Sequence, residues 1–383
     1  MTSFNFDTPR LPAEALAERS RARDFLANEL AEQRYPSHVT TWSSFDADFS
    51  RRAGAAGFIG MTWPKAYGGR ELSSLTRFAV TAEMLAAGAP SFAHWIADRQ
   101  SGPQILAHGS ERAKREILPR ICRGECYFGI GMSEPNSGSD LAAVRTKATR
   151  HNDGWRINGS KIWTSNAHHA HYLIVLARTG DAGADRHGGL TQFIADLSQP
   201  GVDIRPIYNL AGAHEFNEVF FDDFLVPEDM MVGAEGSGWD MVTRELAFER
   251  SGPDRFLSDY RLLVELIERV GNDPDARQAV EIGRLVSHLV SLLTMSLSVA
   301  ELLGRGKSPN LEAALVKDVG TNFERDVPEV ARRVLPVEPS VDREGDLFAQ
   351  AAAQVILNAP SFTLRGGTRE ILRGMIARGL GLR

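Results

Sequence analysis

Cysteine is scarce in this chain: Cys122 and Cys126 are the only two in 383 residues. That excludes a disulfide framework and suits a reducing cytoplasm. Their spacing could put two thiols on one helical face, but two ligands do not close a zinc site, so ordinary core or surface thiols are the simpler reading. Excess positive charge is also missing, since 43 Lys and Arg stand against 49 Asp and Glu for a formal net charge of −6. A nucleic-acid partner is therefore not expected. No long apolar run is unbroken: the stretch from Leu285 to Leu303 is interrupted by Ser287, His288, Ser291, Thr294, Ser296 and Ser298. It reads as a helix buried between other helices rather than a membrane span. The N-terminus shows no apolar core behind a basic start, so no signal peptide is expected. Repeats and low-complexity tracts are absent too. What is present is ordinary for a globular chain, with 43% hydrophobic and 24% charged residues, long enough for two or three domains.

Hydrophobic periodicity divides the chain into three stretches. From Pro12 to about Pro119 apolar residues recur at spacings of three and four, as at Leu75, Phe78, Ala82 and Leu85, and breakers at Pro64, Gly68, Gly69, Pro90 and Pro103 mark the joints. This predicts helices. Near Cys126 the character changes to short runs rich in β-branched and aromatic residues, among them YFGIGM, HYLIVLART and EFNEVFFDDFLV. Asn152-Asp153-Gly154 reads as a hairpin turn and Asn158-Gly159 as a second. After Gly238 the helical period returns in four or five long segments, which predicts a bundle. The expected fold class is α+β, with an N-terminal helical domain over 1–125, a small β-barrel or sandwich over 126–237, and a helical bundle over 238–383.

One stretch suggests chemistry. GIGMSEPNSGSD, Gly129 to Asp140, crowds backbone N–H groups and small hydroxyls into a turn-rich loop after an apolar strand. Such a loop suits a large polar ligand such as a nucleotide cofactor, although most loops of this composition are only turns. Other features are weaker. His168, His169 and His171 form an HHxH run without a carboxylate pattern, which reads as a strand edge or loop rather than a metal site. Gly233, Gly236 and Gly238 mimic a dinucleotide fingerprint but lack its βαβ setting, so a turn into the following helices is the better reading. Ser133 and Ser139 have no G-x-S-x-G elbow around them. Taken singly, Trp163 reads as a core aromatic, and Glu249 beside Arg250 as a solvated pair on a helix.

Taken together, four segments resemble the acyl-CoA dehydrogenases, a flavin enzyme family with the same α, β, α order. They are SEPNSGSD at 133–140, NGSKIWTS at 158–165, FNEVFFDDFLVPEDMMVG at 216–233, and the Gly366-Gly367-Thr368 segment. The similarity runs over nearly the whole length. It implies FAD as cofactor, an acyl-CoA thioester as substrate, α,β-desaturation as reaction and an electron-transfer flavoprotein as acceptor. It also implies that Met132, Ser133 and Ser139 contact cofactor or substrate, that Trp163 covers one flavin face, and that Ser165 lies near the flavin N5 edge. Ile130, Gly138, Thr164, Thr368 and Glu370 join the implied cofactor-binding set. Ser139, Phe248, Arg250 and Gly367 form the implied substrate-binding set.

The desaturation needs a carboxylate base in a dry pocket. Many family members carry it just before the Gly-Thr pair near the C-terminus, where this chain has Gly366. A second group, including enzymes that resemble isovaleryl- and long-chain acyl-CoA dehydrogenases, places it in a Glu-Arg pair on a bundle helix. Glu249 and Arg250 match that pair, so the resemblance names Glu249 as base, with Arg250 orienting it or holding the CoA moiety. Gly366 then gives close backbone approach and an N–H for the thioester oxygen.

Two departures concern assembly. Family members that complete their flavin sites as homodimers carry an Arg-x-x-Phe-Gly element, whereas this chain has GNDPDARQAVEIGRL. They also carry Gln-x-x-Gly-Gly-x-Gly, whereas this chain has VLPVEPSVDREGDLFAQAAAQVILNAPSF. The altered pattern is similar to bacterial members that form two-gene heterotetramers, some acting on steroid side chains. The expected assembly is a homo-oligomer or a heterotetramer with a paralogous subunit. Two other readings stay open: a non-catalytic or half-site subunit, and a related flavin oxidase or monooxygenase.

Overall fold

The computed structural model describes residues 4–35, 43–181, 185–342 and 345–382; the side chains of 244–248 lie outside that description. Helices α1 (Ala13–Ala31), α2 (Ala47–Ala55), α3 (Ser74–Ala86), α4 (Phe92–Ile96), α5 (Gly102–His108) and α6 (Glu111–Cys122) come first. Capping marks their starts: the Ser73 and Ser110 hydroxyls accept the Thr76 and Ala113 amides, each at 3.1 Å. A single π-helical turn, Ala97–Ser101, joins α4 to α5.

Eight strands follow: β1 (Phe128–Gly131), β2 (Lys147–His151), β3 (Gly154–Lys161), β4 (Tyr172–Arg178), β5 (Leu190–Asp196), β6 (Val202–Tyr208), β7 (His214–Pro227) and β8 (Met231–Val232). They form one sheet in the order β6-β7-β3-β2-β4-β5-β8, with β1 parallel to β4 off this path. β4 and β5 are buried over most of their length, β4 as its apolar run from Leu173 to Ala177 requires. β6 has mostly exposed or half-exposed residues at one end of the sheet.

The turn at Asn152-Asp153 joins β2 to β3 as expected, with Asn152 in the left-handed region at φ 47°. Asn158-Gly159 corrects the sequence reading, because it lies inside β3 and makes no hairpin. The register against β7 shifts between Ile157 and Gly159, a bulge that ties Asn158 to Asp223 through two hydrogen bonds. Gly159 has φ +144°, and a Cβ there would lie 2.7 Å from the Thr146 Cα.

The C-terminal helices are α7 (Gly238–Ser251), α8 (Tyr260–Val270), α9 (Ala276–Gly304), α10 (Asn310–Val334), α11 (Leu347–Phe362) and α12 (Arg369–Gly379). The chain forms two compact units. One contains Met1–Ser44, Leu72–Pro90 and Leu246–Arg383, so α1 and α3 join the C-terminal helices; the other contains Phe45–Glu71 and Ser91–Glu245, the sheet with α2 and α4–α6.

α9 carries the interrupted apolar run. It is long and apolar enough to cross a membrane by length and composition. One stripe, with Leu285, Leu289, Leu292, Val299 and Leu302, is buried, while Val280, Val286 and Val290 are exposed. The buried stripe packs against α3 and α10, so the helix lies against other helices as expected but is buried on one face only. Cys122 and Cys126 are both free and buried, and burial pushes each thiol up to about 12. They are inert core thiols at neutral pH.

Candidate functional site

In the helical unit, the last turn of α7 carries Glu249 and Arg250. The helix ends at Ser251, and Gly252 leads into a short 3-10 turn, Pro253–Arg255, that folds the chain back. Arg255 thereby donates through Nη2 to Glu249 Oε1 at 2.6 Å and through Nε to the Glu249 carbonyl at 2.8 Å. The guanidinium is 3% exposed and the Glu249 side chain 15%. A charge-assisted pair this sheltered holds the carboxylate in one orientation.

Gly366 lies against this pair. It has φ +69°, and a Cβ there would stand 3.0 Å from Glu249 Oε1 and 3.3 Å from Arg255 Nη2. The absence of a side chain is what allows the approach. Arg250 takes the other side: its Nε donates to the Gly366 carbonyl at 3.0 Å and its Nη1 contacts Met375 Sδ at 3.1 Å. The structure thus corrects one assignment. Arg255, not Arg250, pairs with the Glu249 carboxylate, and Arg250 pins the glycine segment. Gly367, φ +99°, sits over Arg250, with a notional Cβ 3.3 Å from Nη2.

The glycine segment is braced from within the helices. Arg365 bonds Glu324 through both carboxylate oxygens at 2.7 and 3.0 Å and also reaches Ser258 Oγ at 2.7 Å. Lys317, fully buried on α10, donates to Thr321 Oγ1 and to the Phe362 carbonyl at the end of α11, both at 2.9 Å. Burial, then the charges of Arg255 and Arg365, lowers the Lys317 amine to about 7. Asp259, also buried, has its carboxyl pushed well up by desolvation and by Glu324. Thr368 caps α12, accepting the Ile371 amide at 3.5 Å, and Glu370 is exposed in its first turn. Phe248 lies on α7, and its side chain is outside the described residues.

In the sheet unit, Ile130 lies in β1 just before Gly131, which ends the strand, and Met132 and Ser133 follow, all partly exposed except the buried Gly131. Glu134 is the hub of the loop, with its carboxylate accepting the Arg145 and Thr146 amides at 2.7 and 2.8 Å and Lys161 Nζ at 2.8 Å. Burial alone would raise that carboxyl, but the Lys161 charge and these hydrogen bonds leave it below its ordinary value. Burial lowers the Lys161 amine to about 8, so both partners stay charged at neutral pH. The sequence reading assigned neither residue a role. Gly138 and Ser139 are exposed beyond this hub.

From Lys161 the chain turns through Ile162–Asn166. The Ile162 amide donates to the Ser133 carbonyl at 2.9 Å, joining this segment to the first loop. Trp163 adopts φ +60°, unusual for a bulky residue. Its ring is 57% exposed and packs edge-on against Phe216 at 5.9 Å. Trp163 is therefore no core aromatic. Thr164 is buried, and its hydroxyl has no hydrogen-bond partner among the described residues. A flat exposed ring beside a buried hydroxyl wanting a partner fits a planar ligand with a polar edge, as an isoalloxazine is. Among the described residues the three histidines do not form a cluster with carboxylates that could hold a metal ion. His168 and His169 lie in the 3-10 turn Ala167–His169, and His171 receives the Tyr127 amide.

Comparison with known proteins agrees with this arrangement. The acyl-CoA dehydrogenase N-terminal domain model matches residues 12–125 and the middle domain model matches residues 129–224. The chain is 36% identical over 343 residues to the acyl-CoA dehydrogenase IpdE1 of Mycobacterium tuberculosis, covering 87% of each. Among solved structures, the Tcur3481-Tcur3483 steroid ACAD superposes with a TM-score of 0.86 at 26% identity, over 98% of each chain. The ChsE4-ChsE5 complex from Mycobacterium tuberculosis does so at 0.82 and 26%, over 98% of this chain and 99% of that one. This chain belongs to the acyl-CoA dehydrogenase family of flavoprotein oxidoreductases.

Proposed function

We propose that this chain performs the FAD-dependent α,β-dehydrogenation of an acyl-CoA thioester with Glu249 as the base, and that the electrons pass to an electron-transfer flavoprotein. The observation that carries the proposal is the Glu249 carboxylate, pinned by Arg255 at 2.6 Å beneath a glycine whose absent side chain leaves room beside it. A base already oriented and sheltered needs little reorganisation before it takes the substrate α-proton. As that proton leaves, negative charge gathers on the thioester oxygen, and the Gly366 N–H is the donor assigned to it. Arg250 holds the Gly366 carbonyl and so fixes the plane of that segment.

Bound FAD supplies the acceptor for the β-hydride. Trp163 is assigned to one face of its ring, and Met132, Ser133, Thr164 and Ser165 to its polar edge. Ile130, Gly138, Ser139, Thr368 and Glu370 complete the assigned set, with Ser139, Phe248 and Gly367 toward the acyl-CoA. The adenine half is assigned to a paralogous subunit. Support comes from the missing Gly-rich segment, from the exposed valines of α9 and from the two-component names of the steroid ACAD and the ChsE4-ChsE5 complex.

The test is anaerobic mixing with a panel of acyl-CoAs, with and without the paralogous chain. Bleaching of the flavin band by at least one acyl-CoA, lost in Glu249→Gln, is the expected result. Bleaching that survives the substitution removes Glu249 from the mechanism.

A further inference from the structure

The segment carrying Trp163 and Thr164 is sewn to β7 by one residue that the site described so far does not use. Asn217 is fully buried. Its backbone carbonyl accepts the Thr164 amide at 3.0 Å, and its side-chain Nδ2 donates to the Thr164 carbonyl at 3.0 Å. Both polar groups of the Thr164 backbone are thus bound to Asn217. Two residues on, the Asn166 amide donates to the Glu215 carbonyl at 2.7 Å. Between these anchors, Phe216 supports the Trp163 ring.

The Asn217 amide has only one workable orientation. A carbonyl can only accept, so Nδ2 must face Thr164 and Oδ1 must face away. Oδ1 meets His214 Nε2 at 2.8 Å and His168 Nδ1 at 3.2 Å. Both imidazoles must therefore donate, which fixes the Nε2–H tautomer of His214 and the Nδ1–H tautomer of His168. The rings themselves are held in a column. His168 stacks on His214 at 3.7 Å and 16°, His169 lies 4.0 Å from His168, and Phe45 stacks on His169 at 4.1 Å. Burial lowers the His168 imidazole to about 4, with the neighbouring His169 and His214 adding to it, so the ring that must be a neutral tautomer is neutral.

A left-handed tryptophan stores backbone strain and persists only where its surroundings over-determine it. The HHxH run, which resembled a metal motif in the sequence, has the geometry of such a constraint. We propose that Asn217, oriented by His168 and His214, is the positioning residue that holds Trp163 and the Thr164 hydroxyl in place for the flavin ring. The proposal rests on the assignment of Trp163 and Thr164 to the flavin.

Asn217→Asp tests it, because the variant keeps the shape and replaces the Nδ2 donor with an oxygen facing the Thr164 carbonyl. The first readout needs no flavin: deuterium exchange at the Thr164 amide in the purified chain, with the thermal midpoint measured alongside. The expected result is lost protection at Thr164 while the sheet amides stay protected. The second is FAD affinity by fluorescence quenching, in the chain with its paralogous partner, expected to weaken on the order of tenfold in Asn217→Asp. Histidine labelled with ¹⁵N should report the two tautomers named above. Unchanged protection, or the opposite tautomers, overturns the positioning role. If protection is lost but FAD affinity is unchanged in Asn217→Asp and weakened in Trp163→Ala, Asn217 does not act toward the flavin. If Trp163→Ala also leaves FAD affinity unchanged, the flavin assignment of that segment falls, and the proposal with it.

Discussion

Replacing Gly366 with alanine adds one methyl group where the structure has least room for it. At φ +69° an alanine sits in the left-handed region, which costs about 1–2 kcal/mol for a residue with a Cβ. The new carbon would stand 3.0 Å from Glu249 Oε1 and 3.3 Å from Arg255 Nη2, inside the ~3.5–4.0 Å at which heavy atoms attract. Either the glycine segment or the Glu249–Arg255 pair must move by several tenths of an ångström. Since a 1 Å misplacement can lower a rate on the order of 100-fold, a shift of this size is expected to lower the rate of flavin reduction by about 10–100-fold, roughly 1.4–2.7 kcal/mol in the barrier. Stopped-flow reduction under saturating acyl-CoA measures the rate, and urea unfolding measures the ~1–2 kcal/mol of lost stability. Gly374→Ala is the control. Gly374 lies within α12, and a Cβ there meets nothing within 4 Å among the described residues, so the variant should be as active as the wild type and no less stable. A Gly366→Ala enzyme with wild-type rate and stability would refute the close approach of Gly366 to the base.

Arg255→Met leaves Glu249 without its 2.6 Å partner. It should lower kcat far more than it raises KM and reduce stability by about 3–5 kcal/mol, checked by steady-state kinetics and urea melts. Lys161→Met strands the Glu134 carboxylate in a buried site, with a similar ~3–5 kcal/mol loss on urea unfolding. His168 gives a pH dependence. Its imidazole titrates at about 4 folded against the ordinary 6.5, so between these values the unfolded chain carries the extra proton and stability falls as pH drops from 6.5 toward 4. In His168→Phe the acid-side slope of the thermal midpoint should flatten; an unchanged slope would contradict the burial of that ring.

The order of element types was legible because it rests on periodicity, and the three stretches α, β and α recur in the structure. Less legible were features that depend on what the chain folds back onto. Arg255 lies past a Gly-Pro break, where helical spacing no longer says which face a residue takes, so the adjacent Arg250 was the residue expected to orient Glu249 or to hold the CoA moiety. Asn158-Gly159 has hairpin chemistry, yet sheet pairing on both sides of β3 uses it as a bulge. Trp163 looked like core because exposure cannot be read from residue type; its left-handed backbone comes from bonds to Ser133 and Asn217, far along the chain. Glu134 and Lys161 were visible within the two boxes, but nothing in their spacing showed that they meet as a buried pair. Gly366 was legible in part: the resemblance marked it as the place where the usual base is absent and the backbone can come close, and its proximity to Glu249 is what the structure adds.

The central claim is that Glu249 takes the proton. The direct measurement is exchange of the substrate α-hydrogen with deuterated solvent, followed by mass spectrometry on an acyl-CoA that bleaches the wild-type flavin, for the wild type and Glu249→Gln in the same assembled enzyme. Exchange and bleaching in the wild type, both absent in a Glu249→Gln enzyme that still holds its flavin, is the result expected. α-Exchange at the wild-type rate in Glu249→Gln would contradict the account.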